Sequence, residues 1–584
     1  MPGWREVLQR RGPLIALTLA AFLCLPAGFA KLFADDYFQQ LTVVAPPGEA
    51  PGTPPWDLFT FADGDPEHIR PFIERGPFMW LTWPELRMRF FRPLSSVLMT
   101  IDQRLFGPEP FWPHVESVLW YLALVAVVSA LFSRTLGPAG GLLAPLAMVL
   151  FAIDDVHWLS ALWLANRNSL IATTPVLLGL LLHLRWREDG WRPGAFLSVP
   201  LFALGLLGGE SSLGALAYVF AYEVVAGPGG WKARARALAP VLSVGLGYVA
   251  LYKHFHAGAQ GSGIYIDPAT SPVAFLLHAP ERALALVGAQ FLASPADAWL
   301  LMEQTHPVLI GIGLVALALL GLMLRACWPA FPEGSKRHLK WWTAGIAFSL
   351  VPVLATFPLN RLLLMPSVGA AVLVAALLVH APRQGWVKAG VAVLFFCNVL
   401  MAPVGWAGSY FVGGRAQNVM FSSAFDTPLT DAELARRDSF FAAPDVAVGM
   451  YVPMVRLWAG KARPESWLCF SLAQYAHRLT RVDEGAFDLE VLDGRMGETV
   501  FEQITRAPEI AYAEGMEVTL NGAKVKVTQL DQGLPKKLHI TLTEPLSSET
   551  YTFVQWKDGK LQRLELPAVG TSIELPYNKG PLAY

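Results

Sequence analysis

Residues Leu14–Asp36 read LIALTLAAFLCLPAGFAKLFADD. The apolar part runs for about 20 residues, the length needed to cross the hydrocarbon core of a bilayer. Arg5, Arg10 and Arg11 precede it, and the paired acids Asp35-Asp36 close it. A basic flank with a small residue at Ala30 also fits a cleaved signal. The apolar stretch is longer than a usual signal core, so it is read as a retained transmembrane helix. Basic flanks stay on the cytoplasmic side, which puts the N-terminus inside and Asp35 outside.

The rest of the chain repeats this pattern. Of 584 residues, 54% are hydrophobic and only 16% charged, well below the roughly 25% charged typical of soluble domains. Mean hydropathy is +0.41. A formal net charge of −1 gives no bulk field that would attract nucleic acid. The four cysteines, Cys24, Cys327, Cys397 and Cys469, show neither a disulfide framework nor zinc spacing.

After a long polar segment, 34–112, apolar spans are expected near 114–133, 137–153, 167–184, 193–208, 211–227 and 236–252. The basic turns Arg185-Trp186-Arg187 and Lys232/Arg234/Arg236 then fall inside. Segment 272–293 is broken by Pro280, Glu281 and Arg282 and is read as re-entrant or interfacial. That choice keeps Lys336, Arg337, His338 and Lys340 inside, along with Arg383 and Lys388. Spans near 307–325, 341–357, 362–380 and 387–406 complete an α-helical polytopic protein of about eleven helices.

An odd count leaves residues 409–584 outside, as a soluble extracytoplasmic unit following a membrane unit of 1–408. Here the pattern turns to alternation. Glu517–Leu520, Asn521-Gly522 and Lys524–Val527 read as a hairpin with a type I′ turn. Further alternation at His539–Leu542, Tyr551–Trp556, Leu561–Leu566 and Ser572–Leu575 predicts a β-rich, sandwich-like region after a mixed α/β stretch.

Five polar features fall on the outer side. Asp35-Asp36 either marks a helix exit or supplies a general base, which a hydroxyl nucleophile requires. Arg92, in Phe91-Arg92-Pro93-Leu94, can hold a phosphate, pair with an acid or anchor the interface. The same feature runs on to His114, which closes Phe111-Trp112-Pro113-His114. Asp154-Asp155, His157, Trp163 and Arg167 interrupt two spans; they read as a cavity rim, or as metal ligands. Glu210 follows Gly208-Gly209 beside hydrocarbon and calls for a partner, with an arginine as the simplest. Arg361 follows Pro358-Leu359-Asn360 and can clamp a phosphate or snorkel.

The order of these residues resembles the GT-C membrane glycosyltransferases, particularly the protein O-mannosyltransferase branch and its relatives with tetratricopeptide repeats. The resemblance rests on Asp35-Asp36 after the first helix, Phe91–Leu94, Phe111–His114, His157…Trp163…Arg167, Gly209-Glu210, and Arg361 with a trailing Pro366. It departs from the pattern in lacking a lysine before Glu210, in one extra residue before His114, and in carrying a β-rich region instead of repeats.

The resemblance implies transfer of a sugar from a polyprenyl-phosphate-linked donor to a protein, lipid or glycan acceptor. It places this at the outer face of the cytoplasmic membrane, with the C-terminal part periplasmic. Asp35 would be the base with Asp36 beside it, and Arg361 and Arg92 would meet the donor phosphate. His114, Asp155, His157, Arg167 and Glu210 would line or support the cavity. No organic cofactor and no defined metal set is implied, although some branches use a divalent ion. Two other classes remain open on the residues alone. One is a flippase for a lipid-linked glycan, which would need polar groups along a central path. The other is a non-catalytic scaffold that presents the β-rich region.

Overall fold

The fold is described from a computed structural model, which covers every residue except 1–2, 45–52, 138–140, 383–384, 437, 443–444, 463 and 583–584. Pro46, Pro47 and Pro51 of the linker, and Arg383, lie outside the described residues.

The chain is mostly helical and is a multi-pass membrane protein by the length and composition of its helices. Six described helices or helix runs are long and apolar enough to cross a bilayer: Trp4–Phe29, Phe111–Leu136, Leu164–Asp189, Trp231–His254, His306–Ala330 and Gly385–Ser423. The pair Leu143–Ile153 and Asp155–Leu162, bent by 44°, makes a seventh if taken as one span. The eleven expected from sequence exceed this number. Pro193–Gly208, Ser211–Val225 and Pro366–His380 are apolar but shorter. Helices of about 15 residues reach only ~22 Å, less than the ~30 Å hydrocarbon core. Glycine and proline explain the shortness: Gly209, at φ +153°, divides the first two, and Pro366 opens the third.

The last of these runs continues to Ser423, through a stretch of wide π-helical turns at Phe396–Met401. Position 409 therefore falls inside a helix.

The C-terminal region carries two sheets. One is antiparallel and six-stranded, in the order Ser572–Leu575, His477–Arg481, Ala486–Val491, Leu534–Leu542, Ala523–Asp531, Glu517–Leu520. The other is mixed and four-stranded: Lys560–Arg563, Tyr551–Lys557, Asp438–Ala442, Ser466–Ser471.

The hairpin at Asn521-Gly522 forms, with Gly522 at φ +79°. Its turn is not type I′, because that type needs positive φ at both central residues and Asn521 does not have it. The Asn521 peptide is held from outside instead: its N–H donates to Glu74, and its carbonyl accepts from Ser466. The turns with positive φ at both positions are Gln532-Gly533 and Asp558-Gly559.

The segment after the first helix does not stand apart from these sheets. Tyr37, Phe38, Ile69, Trp80 and Leu81 share one buried cluster with Trp467, Phe470, Val525 and Leu538. The Trp80 indole donates to the Phe470 carbonyl at 2.8 Å, deep in that cluster. A separate apolar core, rich in Trp341, Trp342, Tyr218 and Phe132, holds the helical bundle.

Candidate functional site

The chain leaves its first helix through an elbow. Ala34 adopts φ +48°, a left-handed conformation that costs a residue with a Cβ about 1–3 kcal/mol and persists only where its surroundings enforce it. The Ala34 N–H points at the Met420 sulfur, and the Phe33 carbonyl accepts from the Trp163 indole. A helix, Asp35–Val44, starts immediately after, with both acids in its first turn, where the macrodipole favours negative charge.

The two carboxylates have different surroundings. Asp36 is buried, and both its oxygens accept backbone N–H groups, from Phe33 at 2.9 Å and from Ala165 at 2.7 Å. It ties the elbow to the turn before the helix Asn168–Asp189. Burial pushes Asp36 up to about 8, against the pull of those two N–H groups. Asp35 is half-buried, and its one described hydrogen bond is from the Tyr451 hydroxyl, at 3.5 Å. Burial also raises Asp35, while Arg361, Tyr451 and Arg92 pull in the opposite direction.

The two arginines differ as well. Arg92 donates through Nε to Glu210 at 2.7 Å and lies 4.8 Å from the ring centres of Phe59 and Phe90. Ser95, three residues on, donates to the Gly208 carbonyl and docks the Arg92 turn onto the Glu210 turn. Glu210 thus has the arginine partner that its position calls for. Arg361 sits over the Trp163 ring at 5.3 Å and donates to Asn166 at 3.2 Å. Its buried Nε makes no hydrogen bond, and no carboxylate pairs with it among the described residues.

Asp35, Arg92, Glu210 and Arg361, far apart in sequence, therefore lie near enough to act on one another electrostatically. Tyr265 joins them, packed against Phe90 and within reach of all four charges. Tyr265 and Tyr451 carried no sequence signal: each is a lone tyrosine, meaningful only by position.

Of the other residues singled out from sequence, Arg167 lines a small cavity with Asp36. Arg167 is buried and engaged by Asp102, by Glu116 at 3.1 Å and by the Pro113 carbonyl. His114 is buried at the same helix start. His157 is a core histidine, bonded to Tyr121 at 3.1 Å and Ser367 at 2.8 Å. Asp155 lines a separate small cavity with Gln290 and Asn398. Among the described residues, no three His, Cys, Asp or Glu side chains group as a metal site.

Beside the Asp35 helix lies a cavity of about 440 Å³, walled by Phe38, Leu41, the strand Thr60–Asp63 and the C-terminal residues Pro453, Met454 and Leu457. The rings of Phe38, Phe61 and Phe90 lead from its wall to Arg92, at 5.1 and 6.5 Å between successive centres.

No family model matches the sequence, and no curated protein matches it. One solved structure similar to this chain is the crystal structure of ArnT from Cupriavidus metallidurans bound to undecaprenyl phosphate. The TM-score is 0.38 at 12% identity, over 77% of this chain and 89% of that one.

Proposed function

We propose that this protein is a membrane glycosyltransferase. It moves a sugar from a polyprenyl-phosphate-linked donor to a hydroxyl acceptor at the outer face of the cytoplasmic membrane. The observation that carries the reading is the nearness of Asp35, whose one described hydrogen bond is from Tyr451, to Arg361, whose Nε has no described partner.

In this reading Asp35 takes the proton from the acceptor hydroxyl as the oxygen attacks the anomeric carbon. The bond from that carbon to the phosphate oxygen breaks, and the sugar–acceptor bond forms. The lipid phosphate leaves with the bonding electrons. Arg361 meets the charge that develops on it, which is electrostatic stabilisation by a pre-placed cation. Arg92 adds field from its fixed position on Glu210. Asp36 positions Asp35 by fixing the elbow, and the acceptor enters through the cavity beside Phe38. The membrane unit runs to the end of the helix at Ser423, and the outer unit that follows reaches back to the site through Tyr451.

The test is transfer of labelled sugar from a polyprenyl-phosphate donor by the purified full chain. Asp35→Asn is expected to remove transfer with folding intact. Undiminished transfer in a well-folded Asp35→Asn protein would overturn the reading.

A further inference from the structure

Away from Asp35, the helix Leu143–Ile153, the helix Pro272–Leu292 and the long run Gly385–Ser423 meet at a cavity of about 20 Å³. A space of roughly 10–15 Å³ already holds one water-sized particle, so this one takes a single small occupant.

Its walls are rich in oxygen. Asp154 caps the first helix; one carboxylate oxygen accepts from Val156 N–H at 3.2 Å and the other from the Gln290 amide at 2.8 Å. Gln290 is 5% exposed, and its Oε1 has no hydrogen-bond partner. The opposite amide orientation would set that oxygen against the Asp154 carboxylate, so the geometry fixes which atom is left over. Asn398 donates its N–H groups to the Phe291 and Leu394 carbonyls, at 3.2 and 3.0 Å, which leaves its oxygen for the cavity it lines. It belongs to the π-helical turns Phe396–Met401, a local widening frequently found at functional sites. The Asp155 carboxylate packs on the backbone at Gly405, where a Cβ would come within 2.0 Å of it.

Among the described residues, no base offsets these acids. The charge that acts on Asp154 is Asp155, and the charge that acts on Asp155 is Asp297. Buried carboxylates without a counter-charge are costly, and a cation among them removes the cost.

We propose that Asp154, Asp155, Gln290 and Asn398 bind one hard divalent cation of the Ca²⁺ type. Carboxylate and amide oxygens select hard ions. Cys397 also lines the cavity, but a neutral thiol is a poor metal ligand. Two carboxylates balance a divalent charge. Mg²⁺ usually keeps several waters, and this volume has no room for them. The bound ion pins three helical segments together, and the proposal does not depend on the glycosyltransferase reading.

The test uses the full chain in detergent after EDTA treatment. CaCl₂ is expected to raise the melting temperature to a plateau, while NaCl and MgCl₂ at equal ionic strength do not. The rise is expected to be lost in Asp155→Asn and in Gln290→Met. Tb³⁺ supplies a second readout that needs no variant at the ligands. Its luminescence should be sensitised through Trp406, whose indole donates to the Asp154 carbonyl at 3.1 Å. Ca²⁺ should displace it, and Trp406→Phe should lose the emission but keep the Ca²⁺ shift. The proposal is overturned if Ca²⁺ gives no shift, if Na⁺ or Mg²⁺ gives the same shift, if both ligand variants keep it, or if Ca²⁺ fails to displace Tb³⁺.

Discussion

The hydroxyl of Tyr451 lies 3.5 Å from Oδ1 of Asp35, although 416 positions separate the two residues in sequence. The C-terminal region therefore reaches the elbow after the first helix and contributes directly to the surroundings of the Asp35 carboxylate. The contact also makes Tyr451 a lever on the titration of Asp35.

A base works only when ionised, and burial raises Asp35 above the ordinary carboxylate range. The acid limb of the rate profile should therefore lie above that range. Tyr451 stabilises the charged form, so Tyr451→Phe should move the limb to still higher pH. The loss at the plateau should stay within about tenfold, below the 10²–10⁴-fold usual for removing the base itself. The measurement is transfer rate against pH for the two proteins; an unmoved limb would separate Tyr451 from the titration.

Asp35 and Asp36 should separate in a melting experiment. Asp35→Asn is expected to cut transfer by about 10²–10⁴-fold with little change in melting temperature. Asp36→Asn places an amide N–H₂ against one of two backbone donors, at a cost of about 1–3 kcal/mol. Asp36 should also show in the pH dependence of stability. Its folded value of about 8 lies above the unfolded ~3.9, so the folded state binds the proton more tightly. That contribution is fully present below about pH 4 and fades as pH rises through about 8. Asp36→Asn should flatten this slope in thermal melts taken across the range.

The arginines should part in the same way. Arg361→Gln is expected to lower kcat by about 10²–10³-fold, with folding retained, since in the proposed mechanism its charge meets the leaving phosphate. Arg92→Gln strands Glu210, whose Oε1 is buried without a partner already. Its cost should be about 1–3 kcal/mol of stability. The double variant Arg92→Gln/Glu210→Gln should recover part of that loss, and paired melting and transfer assays read both effects.

Trp458 clamps the Asp35 helix from the C-terminal side. Its indole donates to Gln40 at 2.7 Å, and its ring packs edge-on to Tyr37 at 5.4 Å. Trp458→Ala should cost about 2–3 kcal/mol, less than a fully buried tryptophan because the side chain is half-buried. Transfer should fall with it. Limited proteolysis between the helix Asp35–Val44 and the helix Val452–Trp458 would show the loosened contact.

Composition and the apolar runs were enough to identify a multi-pass membrane protein, because hydrocarbon admits only long apolar helices there. Strand positions in the last 70 residues were legible too, since side-chain alternation is a local property. The number of spans was less legible. Three apolar helices of about 15 residues read like spans, and their Gly and Pro boundaries make them short.

By itself, the sequence determined what local chemistry fixes: apolar lengths, basic flanks and alternating strands. Tertiary structure decided which side chains meet. Asp36 is taken by two backbone N–H groups, Arg92 by Glu210, Arg167 by Asp102 and His157 by Ser367. Among the described residues, Asp35 has one long hydrogen bond and the Arg361 Nε has none. The reason is physical. Whether a polar group is spent on the fold or left for chemistry depends on neighbours hundreds of residues away, and no local pattern encodes those partners.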